Sequence, residues 1–339
     1  MKIDNYDLDK DVLIVAEIGN NHEGSYTLAE DMVGLAADAG VGAVKFQTYQ
    51  TEFYVSKTDE ARFSRLKAFE LNFDEFERLS KVARHAGLIF LSTPFDIESA
   101  QFLNNIVPAF KIASGDNNFY PLINCVAHTL KPVILSSGLA DMTQIRYTKA
   151  LIEQVWSEHN TEQKLAILHC VTSYPVPTDQ ANLAAIRNLQ SNLNCTIGYS
   201  DHTIGITAAV LSVALGARII EKHFTIDKNY SDFRDHQISA DPAEMKSLVD
   251  AVKQATVLLG SGEKVLQSSE KEVVTAVRRS IVSRRDLPAG KILSGNDITW
   301  VRPAGGIAPG NESLLLGKEI KKAVSKGQML TADIFDEKA

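Results

Sequence analysis

VLIVAEIGNNHEGSYTLAEDMVGLAADAGVGAVKFQ, residues 12–47, reads as strand, helix, strand. VLIVAEIG (12–19) is a short apolar run that ends on polar Glu17. TLAEDMVGLAADAG (27–40) places apolar residues at i, i+3 and i+4, the spacing of one helix face. VGAVKFQ (41–47) returns to a short run and ends on Lys45 and Gln47. The same unit continues outward through GLIFLSTP (87–94), AFKIASG (109–115), PVILSSG (132–138), LAILHCV (165–171), NCTIGYSDH (194–202) and RIIEKHFT (218–225). Helix-length segments such as FDEFERLSKVARHAG (73–87) lie between them. Eight strand–helix repeats predict an α/β chain folded as a (β/α)8 barrel. Catalytic groups of such barrels come from the C-terminal ends of the strands. Here those ends carry Glu17, Lys45, Gln47, Thr93, Lys111, Ser114, Ser136, Tyr174, Ser200, His202 and His223. So many reactive side chains on one rim predict an enzyme.

The chain has 339 residues, more than the roughly 250 of a typical barrel. The helical pattern of DPAEMKSLVDAVKQATVLLG (241–260) closes the barrel, predicted over 1–262. A polar, charged linker is expected over 263–280 and a small β-rich domain over 281–339. That last segment holds a near-repeat: Leu287, Gly290, Leu293 and Ser294 recur as Val324, Gly327, Leu330 and Thr331. A turn glycine, an apolar anchor and a hydroxyl cap at matching offsets predict two copies of one unit about a pseudo-twofold axis, with little core of its own.

Composition excludes several classes. With 45% hydrophobic and 23% charged residues and no apolar run near membrane-spanning length, a soluble globular protein without membrane partners is expected. MKIDNYDLDKDVLIVAEIG at the N-terminus lacks the regions of a signal peptide, so the expected location is cytoplasmic. The net charge of −7 and the absence of a basic stripe argue against nucleic acid and for a small-molecule substrate. Cys125, Cys170 and Cys195 have no paired spacing and are expected as reduced thiols without a catalytic role.

His202 and His223 end the seventh and eighth strands, which are neighbours in a barrel. They can converge on one ion and leave most coordination positions open, as a catalytic metal requires. Lys45 and Gln47 share a face of the second strand. Lysines pointing into a barrel mouth demand an anion, and Lys111 repeats the situation on the fourth strand. With the hydroxyls of Thr93, Ser114, Ser136 and Ser200 they make a cradle for phosphate or carboxylate. Glu17 is a candidate general base or electrophile stabiliser, a salt bridge to Lys45 being the plainer alternative. His22 is placed either at the site or in a structural hydrogen bond. His85, His128 and His159 are read as helix residues and His169 as a core histidine.

AEIGNNHEG, VKFQT, LSTPFD, FKIASGD, ILSSG, HCVTSYP, YSDHT, EKHFT and VRPAGG occur in that order. Together they make the chain resemble the sialic acid synthases, which include the legionaminate and pseudaminate synthases. The resemblance implies condensation of phosphoenolpyruvate with an N-acylated hexosamine, N-acetylmannosamine first, to a nine-carbon 2-keto acid and phosphate. Legionaminate or pseudaminate synthesis from a diacetamido-trideoxyhexose is the alternative. It implies that the tail is an antifreeze-like (SAF-type) domain reaching across a domain-swapped homodimer. By motif, Lys45, Thr93, Lys111, Ser114, Ser136 and Ser200 would bind phosphoenolpyruvate. His202 and His223 would hold a divalent ion, Mn²⁺ before Mg²⁺ or Co²⁺, and Glu17 would assist addition at the enol carbon. Gln47, Asp116, Thr172, Tyr174 and Asp235 would line the sugar pocket, and Arg302 would reach the other subunit's sugar.

Three departures from the family pattern, Asp116, Thr172 and the longer NYSDFRDH (229–236), all fall on the sugar side. A synthase using a phosphorylated aldose would need a second phosphate cradle. A Schiff-base aldolase with Lys111 or Lys45 as nucleophile would not need the histidine pair. A non-catalytic ice- or glycan-binding protein would leave the barrel rim unexplained.

Overall fold

The computed structural model describes residues 1–162 and 164–336, and the chain divides into two compact units, Met1–Gly260 and Ser261–Ala339. In the first unit the apolar runs form strands β1 (Leu13–Gly19), β2 (Ala43–Thr48), β3 (Ile89–Pro94) and β4 (Phe110–Ile112). They continue as β5 (Val133–Ser136), β6 (Leu165–Cys170), β7 (Thr196–Asp201) and β8 (Ile219–His223). The hydrogen-bonded order is β3-β2-β1-β8-β7-β6-β5-β4, parallel throughout, so the expected barrel is present. Its one seam without a backbone ladder among the described residues lies between β3 and β4.

The helices that alternate with these strands are α1 (Tyr26–Ala39), α2 (Phe73–His85), α3 (Ile97–Leu103), α4 (Tyr120–Ala127), α5 (Met142–Glu158), α6 (Ala185–Asn192), α7 (Thr207–Ala214) and α8 (Pro242–Leu259). Side-chain caps start several of them: Ser25 accepts from the Leu28 N–H at 3.2 Å, and Asn72 and Glu75 form a reciprocal capping box on α2. None of the described helices is long and apolar enough to cross a membrane.

Strand periodicity splits the core into two shells. Outward residues such as Ile14, Val44, Phe46, Phe90 and Ile220 pack under the helices. Inward residues Leu13, Val15, Ala43, Ile89, Leu91, Ala109, Ile134, Ala166, Leu168 and Ile219 fill the barrel. An N-terminal hairpin, Lys2–Ile3 against Tyr6–Asp7, adds Met1, Ile3 and Leu8 to that inner cluster and so closes the barrel floor. Gly198 on β7 has no room for a side chain, because a Cβ there would sit 2.4 Å from Leu168 Cδ2 and 2.6 Å from the Ile219 carbonyl oxygen.

The second unit matches the near-repeat. Leu287 and Val324, equivalent in the two copies, donate to each other's carbonyls at 2.8 and 2.9 Å, as a local twofold relation requires. Gly290 and Gly327 share left-handed backbone, φ 88° and 83°. Strand β9 (Ser280–Ser283) pairs antiparallel with β10 (Ile298–Val301). Two features differ from expectation. The unit has its own small core, with Ile281, Leu287, Leu293, Ile298, Leu315, Ile320, Val324, Leu330 and Ile334 buried together. The expected linker contains a helix, Lys271–Val277, preceded by a capping box between Gln267 and Glu270.

Candidate active site

Two residues beyond the inner apolar cluster, every barrel strand changes from apolar to chemically active. Val15 is followed by Glu17, Ala43 by Lys45, Leu91 by Thr93 and Ala109 by Lys111. Ile134 is followed by Ser136, Leu168 by Cys170, Gly198 by Ser200 and Ile219 by Glu221. All eight are buried and line one cavity of about 260 Å³ at the strand C-termini. Alternation along the strand puts them on the inner face, and parallel registers such as Glu17 with Lys45 and Ser200 with Glu221 put them at one height.

The ring is densely wired. Lys45 Nζ lies 2.7 Å from Glu17 Oε2, 3.0 Å from Thr93 Oγ1 and 3.8 Å from Glu221 Oε2. Lys111 Nζ donates to Ser136 Oγ at 2.7 Å and lies 3.7 Å from Glu221 Oε1. Ser200 Oγ donates to the same Glu221 oxygen at 2.9 Å. The plainer reading of Glu17 and Lys45 is therefore present: they form an ion pair.

Burial separates the two carboxyls. It pushes Glu17 up, aided by the charge of Glu221 and opposed by Lys45. It acts on Glu221 too, but the nearby Lys111 and Lys45 ammonium groups outweigh it and hold Glu221 below its ordinary value. The two lysines part as well. Burial lowers Lys111, whereas Glu17 and Glu221 overcome burial at Lys45 and raise it. Acid and base roles on adjacent groups require such a division.

Above the ring stand His202 and His223, ring centroids 5.3 Å apart. His202 Nδ1 lies 3.0 Å from the Val171 carbonyl, which can only accept, so Nδ1 carries a proton and Nε2 is the nitrogen left to meet a cation; burial disfavours the charged ring, but Cys170 and the Val171 carbonyl outweigh it and raise His202 above its ordinary value. His223 Nδ1 is buried without a partner, and burial with the nearby cationic groups keeps that ring neutral. His223 offers a ring nitrogen outright and His202 offers Nε2 on losing its second proton, and on adjacent strands the pair fits a divalent cation. No third His, Cys, Asp or Glu joins them in a ligand cluster among the described residues, so substrate and water would complete the set. Cys170 Sγ lies 3.7 Å from His202 Nδ1.

Gln47, Thr172, Tyr174 and Asp235 line the same cavity, as does Ser114, whose hydroxyl accepts from the Gly138 N–H at 3.1 Å. Gln47 donates to Glu17 Oε1 at 3.2 Å and accepts from Asn20 at 3.0 Å. The atypical 229–236 loop carries Asp235 on a short helix, Arg234–Ile238, where its buried Oδ1 lies 3.3 Å from Arg234 Nε. Thr172 Oγ1 and Asp116 Oδ2 are buried without a hydrogen-bond partner. Asp116 stands in the turn just after β4, outside the cavity lining, and burial lifts it to about 6. Arg302 belongs to the second unit and is exposed there.

The other histidines follow their expected places. His169 is buried with Nε2 2.9 Å from the Ala181 carbonyl, and His85, His128 and His159 each meet the carbonyl four residues back. His22 is structural: its Nδ1 accepts from the Gly24 N–H at 3.1 Å, and burial drives it down to about 4.

Several lining residues escaped the sequence reading. Glu221 shares strand parity with Ile219 and His223 in RIIEKHFT, so the same parity argument used for Lys45 would have found it. Cys170 stands in the same relation to Leu168. Tyr54, Arg62 and Arg65 come from two helices between β2 and α2, Thr51–Tyr54 and Glu60–Phe69, and carried no local signal. Arg234 lies with its guanidinium 4.8 Å from the Tyr174 ring centroid.

Residues 32–264 match the NeuB family, and residues 278–335 match the SAF domain. The chain belongs to the NeuB family. An uncharacterized protein from Methanocaldococcus jannaschii is 45% identical, covering 91% of this chain and 90% of its own. The N,N'-diacetyllegionaminic acid synthase of Legionella pneumophila is 37% identical to this NeuB family chain, covering 94% and 92% respectively. The citrate complex of N-acetylneuraminic acid (sialic acid) synthetase from Leptospira borgpetersenii superposes with a TM-score of 0.73 at 37% identity, covering 77% of this chain and 90% of that one. The expected barrel and SAF-type tail are thus those of a NeuB family protein.

Proposed function

We propose that this chain condenses phosphoenolpyruvate with an N-acylated hexosamine, forming a nine-carbon 2-keto sugar acid and releasing inorganic phosphate. The observation that carries this reading is the buried ring: two ammonium groups, three hydroxyls and a divided pair of carboxyls on one level of the barrel. Lys45 and Lys111, with Thr93, Ser114, Ser136 and Ser200, hold the phosphate and carboxylate of phosphoenolpyruvate. C3 of the enol attacks the sugar aldehyde carbon, water adds at C2, and the C2–O bond to phosphate breaks. Glu17, pushed toward its protonated form, gives a proton to the aldehyde oxygen as the C–C bond forms and takes one from the water that adds at C2, while Glu221 stays ionised and fixes both lysines. A divalent cation held by His202 and His223, Mn²⁺ first, would supply Lewis acidity toward the aldehyde oxygen.

For the sugar we favour a 2,4-diacetamido-2,4,6-trideoxyhexose of the legionaminate series over N-acetylmannosamine. A 37% identical relative carries that activity in its name. The pocket side also agrees: Thr172 Oγ1 lines the cavity buried without a partner, and a diacetamido sugar offers amide N–H donors to it. Arg302 of a partner subunit's SAF domain would complete the sugar site in a domain-swapped dimer.

The test supplies N-acetylmannosamine, the legionaminate precursor and the altro-configured pseudaminate precursor separately, with phosphoenolpyruvate and Mn²⁺. Phosphate release is expected to be fastest with the legionaminate precursor and to stop in excess EDTA. Preference for N-acetylmannosamine would reverse the sugar assignment. Turnover in EDTA with borohydride trapping of a lysine would replace the whole reading with a Schiff-base aldolase.

A further inference from the structure

Behind the two histidines, on the outer face of the same strands, lies an ion pair that the reaction does not touch. Lys222 and Asp201 are the residues immediately before His223 and His202, and they are register partners on β8 and β7. Lys222 Nζ lies 2.9 Å from Asp201 Oδ2, with side-chain exposures of 1% and 0%. Lys222 also donates to the Thr203 carbonyl. The other Asp201 oxygen accepts from Tyr199 Oη at 3.1 Å and from the Thr203 N–H at 2.8 Å. Their strand neighbours on that face, Tyr199, Ile220 and Phe224, belong to the apolar outer shell.

A buried charge pair is a poor device for stability, since desolvation offsets most of its attraction. It is an effective device for geometry, because each partner penalises any displacement of the other. Asp201 also closes a turn over His202 by accepting from the Thr203 N–H, while Lys222 holds both flanks of that turn. Side chains alternate along a strand, so fixing Lys222 outward fixes His223 inward, and fixing Asp201 does the same for His202.

We propose that the Asp201–Lys222 pair positions the two histidines, setting the register of β7 on β8 and hence the spacing at which His202 and His223 meet a divalent cation. The inference rests on the reading of those histidines as cation ligands. Both residues are positioning residues, acting through the histidines and touching no substrate.

The test compares wild type, His202→Ala, Lys222→Met and the double variant Asp201→Asn/Lys222→Met. Each is titrated with Mn²⁺ by electron paramagnetic resonance and with Co²⁺ by visible absorption. The double variant buries no net charge and so keeps the measurement available if Lys222→Met alone unfolds. Leu122→Ala, a buried truncation in α4, reports what general destabilisation does. Wild type should bind one ion and His202→Ala none. The double variant should bind about tenfold or more weakly, the loss typical when a partner orienting a metal-binding histidine is removed, with an altered Co²⁺ spectrum. Leu122→Ala should bind as wild type does. An unchanged affinity and Co²⁺ spectrum in the double variant overturns the positioning role while the histidine reading stands. A wild type that binds no ion overturns both, and equal weakening in Leu122→Ala reduces the pair to a stability element.

Discussion

At the scale of single residues, the buried ring predicts unequal losses. Lys45→Ala and Lys111→Ala should each lower kcat/KM for phosphoenolpyruvate by roughly ten- to a hundredfold, from charge-assisted bonds of about 1.5–3 kcal/mol, while the sugar KM moves little. Steady-state kinetics with each substrate varied in turn checks this, and a shift confined to the sugar KM would misassign the lysine. Asp116 supports a pH prediction. Burial raises it to about 6 in the folded protein, above its ordinary value, so its protonated form favours the fold. That contribution is complete below about pH 4 and is lost as pH rises through about 6. Asp116→Asn should therefore raise Tm by a few degrees at pH 8 and leave it unchanged at pH 4, as scanning calorimetry at the two pH values would show.

At the scale of elements, the N-terminal hairpin and the strand ends make separable contributions. Leu8 is fully buried in the inner cluster on the floor side, away from the ring at the strand C-termini. Leu8→Ala should cost about 2–5 kcal/mol in urea unfolding, with kcat unchanged for the folded fraction. Strand parity explains how much could be read beforehand. Period-2 alternation carried Lys45, Gln47 and Lys111 directly from the sequence to the cavity, and the ends of β7 and β8 brought His202 beside His223. What was missed obeyed other physics. Glu221 hid between Ile220 and Lys222, in a run whose terminal His223 drew the reading. Arg62 and Arg65 reach the cavity only because two extra helices fold back over the rim, a tertiary fact that no local periodicity encodes. The tail's core was underestimated for a related reason: short strands separated by turns bury their apolar anchors one at a time.

At the scale of the molecule, each unit has its own buried apolar cluster, so a chain ending at Gly260 should fold by itself. It should still bind Mn²⁺ yet turn over poorly if Arg302 is needed. Mixed with full-length His202→Ala, it should regain activity once heterodimers form, because an intact barrel would meet a donated tail. Confirmed heterodimers as inactive as either parent would remove the proposed exchange.

The seam between β3 and β4 gives the barrel an unexpected mechanical character. Around the rest of the wall, backbone hydrogen bonds make the strands act as one stiff ribbon, but the ribbon's two ends meet here without a backbone ladder among the described residues. Thr93, bonded to Lys45, stands on one lip of that slit and Lys111 on the other. No backbone ladder among the described residues ties the Thr93 lip to the Lys111 lip, so this is where the wall is least constrained. On the proposed function, phosphoenolpyruvate would bridge both lips and should tighten the seam as a caliper closes on its object. Deuterium uptake at the β3 and β4 amides should fall on adding phosphoenolpyruvate, while the β1–β8 ladder stays as protected as before.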